Sequence, residues 1–444
     1  MQRDSIDFSS SDVGKLFRRF LFPTVMGMVF SAVFVITDGI FVGRGIGSDA
    51  LASVNIVAPL FTLGTGLGLM FGMGGSVVAS INLAQGKRRV AEINITQSLA
   101  LPALLIALLS ALLIHCHEPL LMLLGTPGEL MVPAREYLVW FTLFLAPLAV
   151  FNILMFIVRL DGAPGFAMAC NIMAACINIA LDYLFVWEFH WGMAGGAWAT
   201  VIGQAATMLL AIGYLVRRRV GFLPPKAGEV LPLWGALLKV AAAPIGLTFS
   251  PNITLMVMNH FLLRYGGALA IAVYGCIDYV LSTIYMLLQG VGDGSQPLIS
   301  RAYGAGDFGE LRRTGARAYR AAFSITAVCI VALFLTRSVI GVLFGASAEA
   351  NAGVTARLPL FLATLPLLAY TRVTIAYFYA TEKTALSYVL VFSEPVLTFV
   401  VLLILPQLLK LTGVWLAIPA AQALTFCIAV PARRRTQRAR ELPA

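Results

Sequence analysis

The sequence predicts an all-α integral membrane protein, with about twelve transmembrane helices in two six-helix lobes related by an internal pseudo-two-fold repeat. Three observations carry that expectation. Of the 444 residues, 59% are hydrophobic and only 12% are charged, a balance outside the usual range of soluble globular proteins. Apolar stretches long enough to cross a bilayer follow one another along the whole chain. The clusters of basic residues between them fall in alternate loops.

The predicted spans cover residues 16–42, 50–84, 93–114, 134–158, 166–187, 193–216, 236–262, 268–299, 316–335, 357–380, 384–405 and 413–430. A spanning helix needs roughly 20 mainly apolar residues, so little chain remains for a soluble domain. The first stretch is too long for a signal peptide and lacks a small-residue cleavage pattern, and it is expected to stay as the first helix. Lys87-Arg88-Arg89, Arg217-Arg218-Arg219 and Arg312-Arg313 agree in parity with Lys15, Arg18 and Arg19 and with Arg433-Arg434-Arg435. By the positive-inside rule those loops and both termini are expected in the cytoplasm, with the chain in the cell membrane. The net charge of +10 therefore reports orientation, and no folded basic face points to nucleic acid. Five of the six cysteines fall inside apolar stretches and Cys116 stands in a loop, so no structural disulfide is expected. No cofactor is expected, and the chain is expected to act as a monomer whose partners are the bilayer and small substrates.

Sliding the chain against itself aligns Ala50-Leu51-Ala52 with Ala268-Leu269-Ala270, Gly72 with Gly290, Gly86 with Gly304, Glu92 with Glu310 and Gly195 with Gly413, all at one unchanged shift. Six spans in each half give the halves parallel topology, and alternating access commonly uses two such halves with a binding site between them. The expected organisation is an N-lobe over 1–216, a cytoplasmic linker over 217–234, a C-lobe over 235–432 and a basic cytoplasmic tail over 433–444.

A charge inside a bilayer costs several kcal/mol unless it is paired or faces water, which singles out a few residues. Asp38 in the first span and Asp182 in the fifth lie about 27 Å and 24 Å along their helices from Phe20 and Phe166, and so at similar depth. Asn171, Asn178 and Asp182 share one face of the fifth span, and Thr200, Gln204 and Thr207 share one face of the sixth. Carboxylates with amide and hydroxyl oxygens suit a proton or a small hard cation such as sodium. Two adjacent acids also couple binding to shape, since burial and repulsion raise at least one pKa. The same residues read as an interhelical hydrogen-bond network serve only as glue. Pro23 marks either a conformational hinge or a fixed bend in the first span.

In the second half, Asn252, Met256 and Asn259 fall on one face of the seventh span, and Asp278, Ser282, Tyr285 and Gln289 follow helical spacing in the eighth. With Met286, Tyr370 and Tyr377 they would suit flat lipophilic cations through stacking, cation–π attraction and a carboxylate. Glu394 reads as a substrate or ion contact, or as the partner of a base such as Arg372. Gly64, Gly68 and Gly72 form a small-residue ridge for helix packing, and without a nucleotide motif the energy source is expected to be an ion gradient. His115, Cys116 and His117 lack a further ligand cluster, so no metal is expected beyond a sodium ion at the acid pair.

The stretches Asp38-Gly-Ile-Phe-Val-Gly-Arg-Gly-Ile-Gly, Arg159-Leu-Asp161-Gly-Ala-Pro, Asn178-Ile-Ala-Leu-Asp182 and Gln289-Gly-Val-Gly-Asp-Gly-Ser-Gln-Pro-Leu-Ile-Ser300 resemble the MATE family of multidrug and toxic compound extrusion transporters over nearly the whole chain. The resemblance implies cation-coupled antiport that exports amphipathic, often cationic compounds. It implies an N-lobe cation site at Asp38, Asn178, Asp182 and Thr200. The C-lobe sodium site of some members has no acids to match it here, because the seventh span carries Asn252 and Asn259 and the tenth carries Arg372. Asp293 matches a motif position of a drug-exporting branch. A flippase for a lipid-linked sugar is the alternative, but it would call for a more basic cavity. An enzyme would need a convergent catalytic cluster, and a channel fits poorly with duplicated lobes and an acid pair.

Overall fold

In the computed structural model the chain is helical throughout, and no strand occurs among the described residues, which are 13–45, 48–123, 131–344 and 346–441. The chain divides into two compact units, 1–245 and 246–444. The first holds α1 (Val13–Gly45), α2 (Ser48–Ala84), α3 (Arg88–His115), α4 (His117–Leu123), α5 (Met131–Leu160), α6 (Pro164–Asp182) and α7 (Gly192–Arg217). A long α8 (Ala227–Gly304) leads into the second, where Gly267, at φ 67° and ψ −165°, interrupts its helical path. The second continues with α9 (Phe308–Leu343), α10 (Ala348–Leu362), α11 (Leu365–Ala380), α12 (Thr384–Leu409) and α13 (Leu411–Glu441). Helix is the open structure that satisfies every backbone polar group within its own segment, as hydrocarbon requires.

Nine helices among the described residues are long and apolar enough to span, or up to twelve when each of three bent pairs counts as one. Two of those bends lie within a unit. Ala134–Trp140 meets Leu145–Leu160 at 51°, and Ala348–Leu362 meets Leu365–Ala380 at 52°. The second break follows Ala363 and Thr364, with a proline in the first turn of α11, where its missing N–H costs nothing.

The internal repeat is present in the structure, but its register lies two residues beyond the one that small-residue matching gives. Gly86 and Gly306 both take positive φ in the turn that ends a span, as do Gly162 and Glu382, and His190 and Lys410, and all three pairs share one separation along the chain. Gly72 packs against Phe156 and Gly292 against Ala376 in the same register. Glycine and alanine recur so densely on packed helices that identity matches slip by two residues. Turn conformations do not slip, because only a few positions reverse the chain.

In the first unit α2 lies along α5, α1 along α6, and α7 against both α5 and α6. The glycine ridge sets the first of these contacts. A side chain at Gly68 would meet the Ala149 backbone at 3.0 Å, one at Gly72 the Ile153 Cα at 3.0 Å, and one at Gly64 the Leu145 side chain. Close approach of this kind replaces the hydrophobic drive that lipid cannot supply. At one end of the unit Tyr183, Trp187, Phe189 and Trp191 form an aromatic group, the composition expected at a membrane–water interface. In the second unit α9 packs on α10 and α11, and α13 on α12 and α11. Helix α13 continues through Arg433, which is buried against the ring of Tyr377, as far as Glu441.

Replacing Gly68 by leucine is expected to destabilise the first unit by about 1–3 kcal/mol through overpacking. Gly213 faces open space, and its leucine variant serves as the neutral control. Thermal unfolding in detergent micelles compares the two.

Candidate functional site

Asp182 closes α6, and the chain passes directly into a π-helical turn, Tyr183–Glu188. Such wide turns inside a helix are frequent at functional sites, and α7 packs closely against this one. Helix α7 crosses here on small residues: a Cβ at Gly195 would meet the Phe185 backbone at 3.2 Å, and one at Gly203 the Ala174 carbonyl oxygen at 2.9 Å. With the two backbones this close, the short side chains meet, and Asn178 Nδ2 donates to Thr200 Oγ1 at 3.2 Å. Asn178 is buried and Asp182 is 0% exposed. The Asn178 Oδ1 and Gln204 Oε1 oxygens are buried without a hydrogen-bond donor among the described residues, so this part of the unit is rich in acceptor oxygen. A proton or a hard cation is the species that such a set accommodates. Asn171 and Thr207 instead close onto their own helices, bonding the carbonyls of Ala167 and Gly203.

The side chain of Asp38 lies outside the described residues, but its backbone position is fixed within α1. Gly27 of α1 sits opposite Asn171 of α6, with the Asn171 amide 3.5 Å from where a Cβ would stand. Asp38 and Asp182 each lie eleven residues beyond this contact, about 16 Å along their helices. The two acids are thus equally far along their helices from one contact. Helix α1 runs unbroken through Pro23.

The second unit separates the residues expected to form one substrate surface. Asn252 is exposed and donates to the Thr248 carbonyl oxygen at 2.9 Å, and Met256 is 73% exposed, while Asn259 is partly buried on the same helix. Tyr285 belongs to a buried charged network. Its hydroxyl lies 3.5 Å from Glu394 Oε1, Gln422 Nε2 donates to the same oxygen at 3.3 Å, and Arg372 reaches Glu394 Oε2 at 3.8 Å. The Arg372 guanidinium also stands over the Tyr285 ring at 4.9 Å. Glu394 thus takes the second of its two readings, as the partner of Arg372. Asp278 lies one helical turn from the buried Tyr274.

Gln289 and Met286 are partly buried, and Gln289 Nε2 donates to Asp293 Oδ1 at 2.7 Å. Tyr370 is held elsewhere, stacked on Tyr319 at 5.0 Å. Tyr377, only 3% exposed, lies under the Arg433 guanidinium at 3.4 Å. Sequence reading missed Gln422, Tyr274 and Arg433. Only Gln422 carried a usable signal, a lone amide in an apolar span.

Between α3 and α4, His117 Nδ1 lies 2.8 Å from the Ile114 carbonyl oxygen. No group of three potential metal ligands converges among the described residues.

The family model MatE matches residues 23–184 and again 244–404, once in each half, as the internal repeat requires. Multidrug export protein MepA of Staphylococcus saprophyticus is 27% identical over 338 residues, covering 74% of this chain and 73% of its own. MepA of Staphylococcus aureus strain MSSA476 is 26% identical over 337 residues, with 74% and 72% covered. Among solved structures, a MOP superfamily transporter from Pyrococcus furiosus, described by the reverse polarity of its binding pocket, superposes with a TM-score of 0.91 at 20% identity over 98% of both chains. The outward-facing conformation of a multidrug resistance MATE family transporter gives 0.90 at 21% identity over 97% of both. These two likenesses establish the fold.

Arg372 and Glu394 are 6% and 12% exposed, so removing either alone leaves a charge stranded inside the unit. Arg372→Gln and Glu394→Gln are each expected to destabilise by about 3–5 kcal/mol, and the double variant by clearly less than their sum. Chemical unfolding of the four proteins measures the coupling, and simple additivity would dissolve the pair.

Proposed function

The chain belongs to the MatE family of transporters, and from that premise we propose that it exports amphipathic, cationic drugs or toxic compounds across the cell membrane, driven by proton or sodium antiport. The observation that carries the reading is Asp182, fully buried one turn beyond the Asn178–Thr200 hydrogen bond, on the helix along which α1, the helix of Asp38, packs. A carboxylate at such a place is costly unless its charge is matched, and a proton or a sodium ion matches it reversibly.

Binding the ion on one side and releasing it on the other gives each conformation a different charge in the same helices. That is the differential interaction alternating access needs. In this scheme α6 and α7 form the fixed part of the site and α1, carrying Asp38 and Pro23, is the element that moves. The cytoplasmic placement of both termini follows from the basic loops. Of the substrate residues, Asn252, Met256, Asn259, Asp278, Tyr285, Met286 and Gln289 remain in the proposal on the second unit's face. Tyr370 and Tyr377 enter it only if their packed rings open. The MepA relatives are named for multidrug export, which supports this reading over an enzyme. A carrier for lipid-linked sugars has less support, because Arg372 is already balanced by Glu394.

Asp38→Asn and Asp182→Asn are each expected to abolish uphill export while leaving a folded, inserted protein. The assay is efflux of a fluorescent cation from proteoliposomes under separately imposed proton and sodium gradients. Undiminished uphill efflux in both variants overturns the site, and the gradient that drives the wild type names the ion.

A further inference from the structure

A groove of about 440 Å³ opens on the first unit between α3, α5 and α7. Its floor is Leu154 and Leu215, 2% and 1% exposed, and its walls are Leu99, Ala103 and Ile212, with Phe222 from the segment after α7 at its lip. Alanines on α3 keep it open. The exposed apolar side chains of Leu104, Leu108, Leu209 and Val216 continue from it along the same two helices, so its mouth faces hydrocarbon.

The rim of the groove is basic. Both wall helices have their charged ends here, α3 beginning at Arg88 after Lys87, and α7 ending at Arg217 with Arg218 and Arg219 beyond. The acids nearby are already engaged, Glu92 by Arg88 at 3.0 Å, Asp161 by Arg218 at 3.3 Å and Glu229 by Arg89 at 3.6 Å. The Asp161 carboxylate holds the Arg218 guanidinium above its ordinary pKa. The exposed side chains of Lys87 and Arg217 pair with no carboxylate among the described residues. Thr96, at the basic end of the groove, lies about 12 Å along α3 from Arg88, which long basic side chains and a lipid headgroup together bridge.

We propose that this groove binds one anionic phospholipid from the leaflet that meets the basic end, an acyl chain lying in the cavity and the phosphate over Lys87 and Arg217. A lipophilic cation would fit the walls but be repelled at the rim. A zwitterionic lipid would gain little from two unbalanced positive charges. The occupant would touch Phe222, in the segment that leads from α7 towards α8, so lipid binding and the connection between the two halves of the chain share a residue.

The test uses the full chain in nanodiscs of phosphatidylcholine doped with photoactivatable phosphatidylglycerol carrying its reactive group on the acyl chain, followed by peptide mapping. Adducts are expected to concentrate on residues 96–103 and 212–222, and the matching phosphatidylcholine probe is expected to label them several-fold less. Lys87→Gln and Arg217→Gln should each weaken phosphatidylglycerol labelling about fivefold at low salt, and Ala103→Trp should block it. Labelling no greater than on the exposed apolar face of α9 around Val331 and Leu335 overturns the proposal. Equal labelling by both lipids does the same, and so does displacement by tetraphenylphosphonium that the charge variants leave unchanged. The wild-type map decides the matter even if the tryptophan variant does not fold.

Discussion

A polar side chain inside a bilayer finds its partner on its own helix or on a neighbouring one, because lipid offers none. The first unit meets that constraint by bringing backbones together before side chains. Gly203 and Gly195 let α7 approach α6 closely, and only then do Asn178 and Thr200, with short side chains, come within hydrogen-bonding distance. The π-helical turn after Asp182 lies where Gly195 presses on the Phe185 backbone. The chain of cause therefore runs from glycine to helix spacing, from spacing to polar contact, and from polar contact to a place where a carboxylate tolerates burial.

The two units put different chemistry on one backbone plan. Bends of 51° and 52° and the paired positive-φ turns mark the shared plan. On it, the positions equivalent to Asp38 and Asp182 are Met258 and Leu402, and those equivalent to Arg372 and Glu394 are Asn152 and Ala174. At these four positions each half carries a charge where the other carries none. The shared scaffold thus carries Asp38 and Asp182 in one half and the Arg372–Glu394 ion pair in the other.

The fold class was legible because hydropathy and the distribution of basic residues depend on the solvent, and the solvent here is lipid. Asn178, Asp182 and Thr200 were legible for a related reason: polar residues are rare enough in these spans that helical spacing alone groups them. The partnership of Arg372 and Glu394 could be named only as one of two alternatives, since neither lies at a helical interval from the other. The repeat register was misread by two residues because glycine and alanine are too common to mark position. Tyr370 and Tyr377 were grouped with Tyr285 because aromatic side chains suit both a binding surface and a packed core, and spacing cannot distinguish them. What separates them is tertiary. Tyr377 lies beneath Arg433, whose place in the sequence reads as a tail.

The charged network of the second unit bears on what holds α12 in place. For stability alone, an apolar pair of similar volume commonly serves as well as a buried ion pair or better, so the contribution of the network has to be sought in which helices it joins. The Glu394 carboxylate on α12 is approached by Tyr285 from α8, Arg372 from α11 and Gln422 from α13, at 3.3–3.8 Å. Rotating α12 away from any of them would expose a charge to hydrocarbon. The network therefore acts as a registry device, fixing the rotation of one helix against three neighbours. Apolar packing is more tolerant of repacking and would leave that rotation less sharply defined.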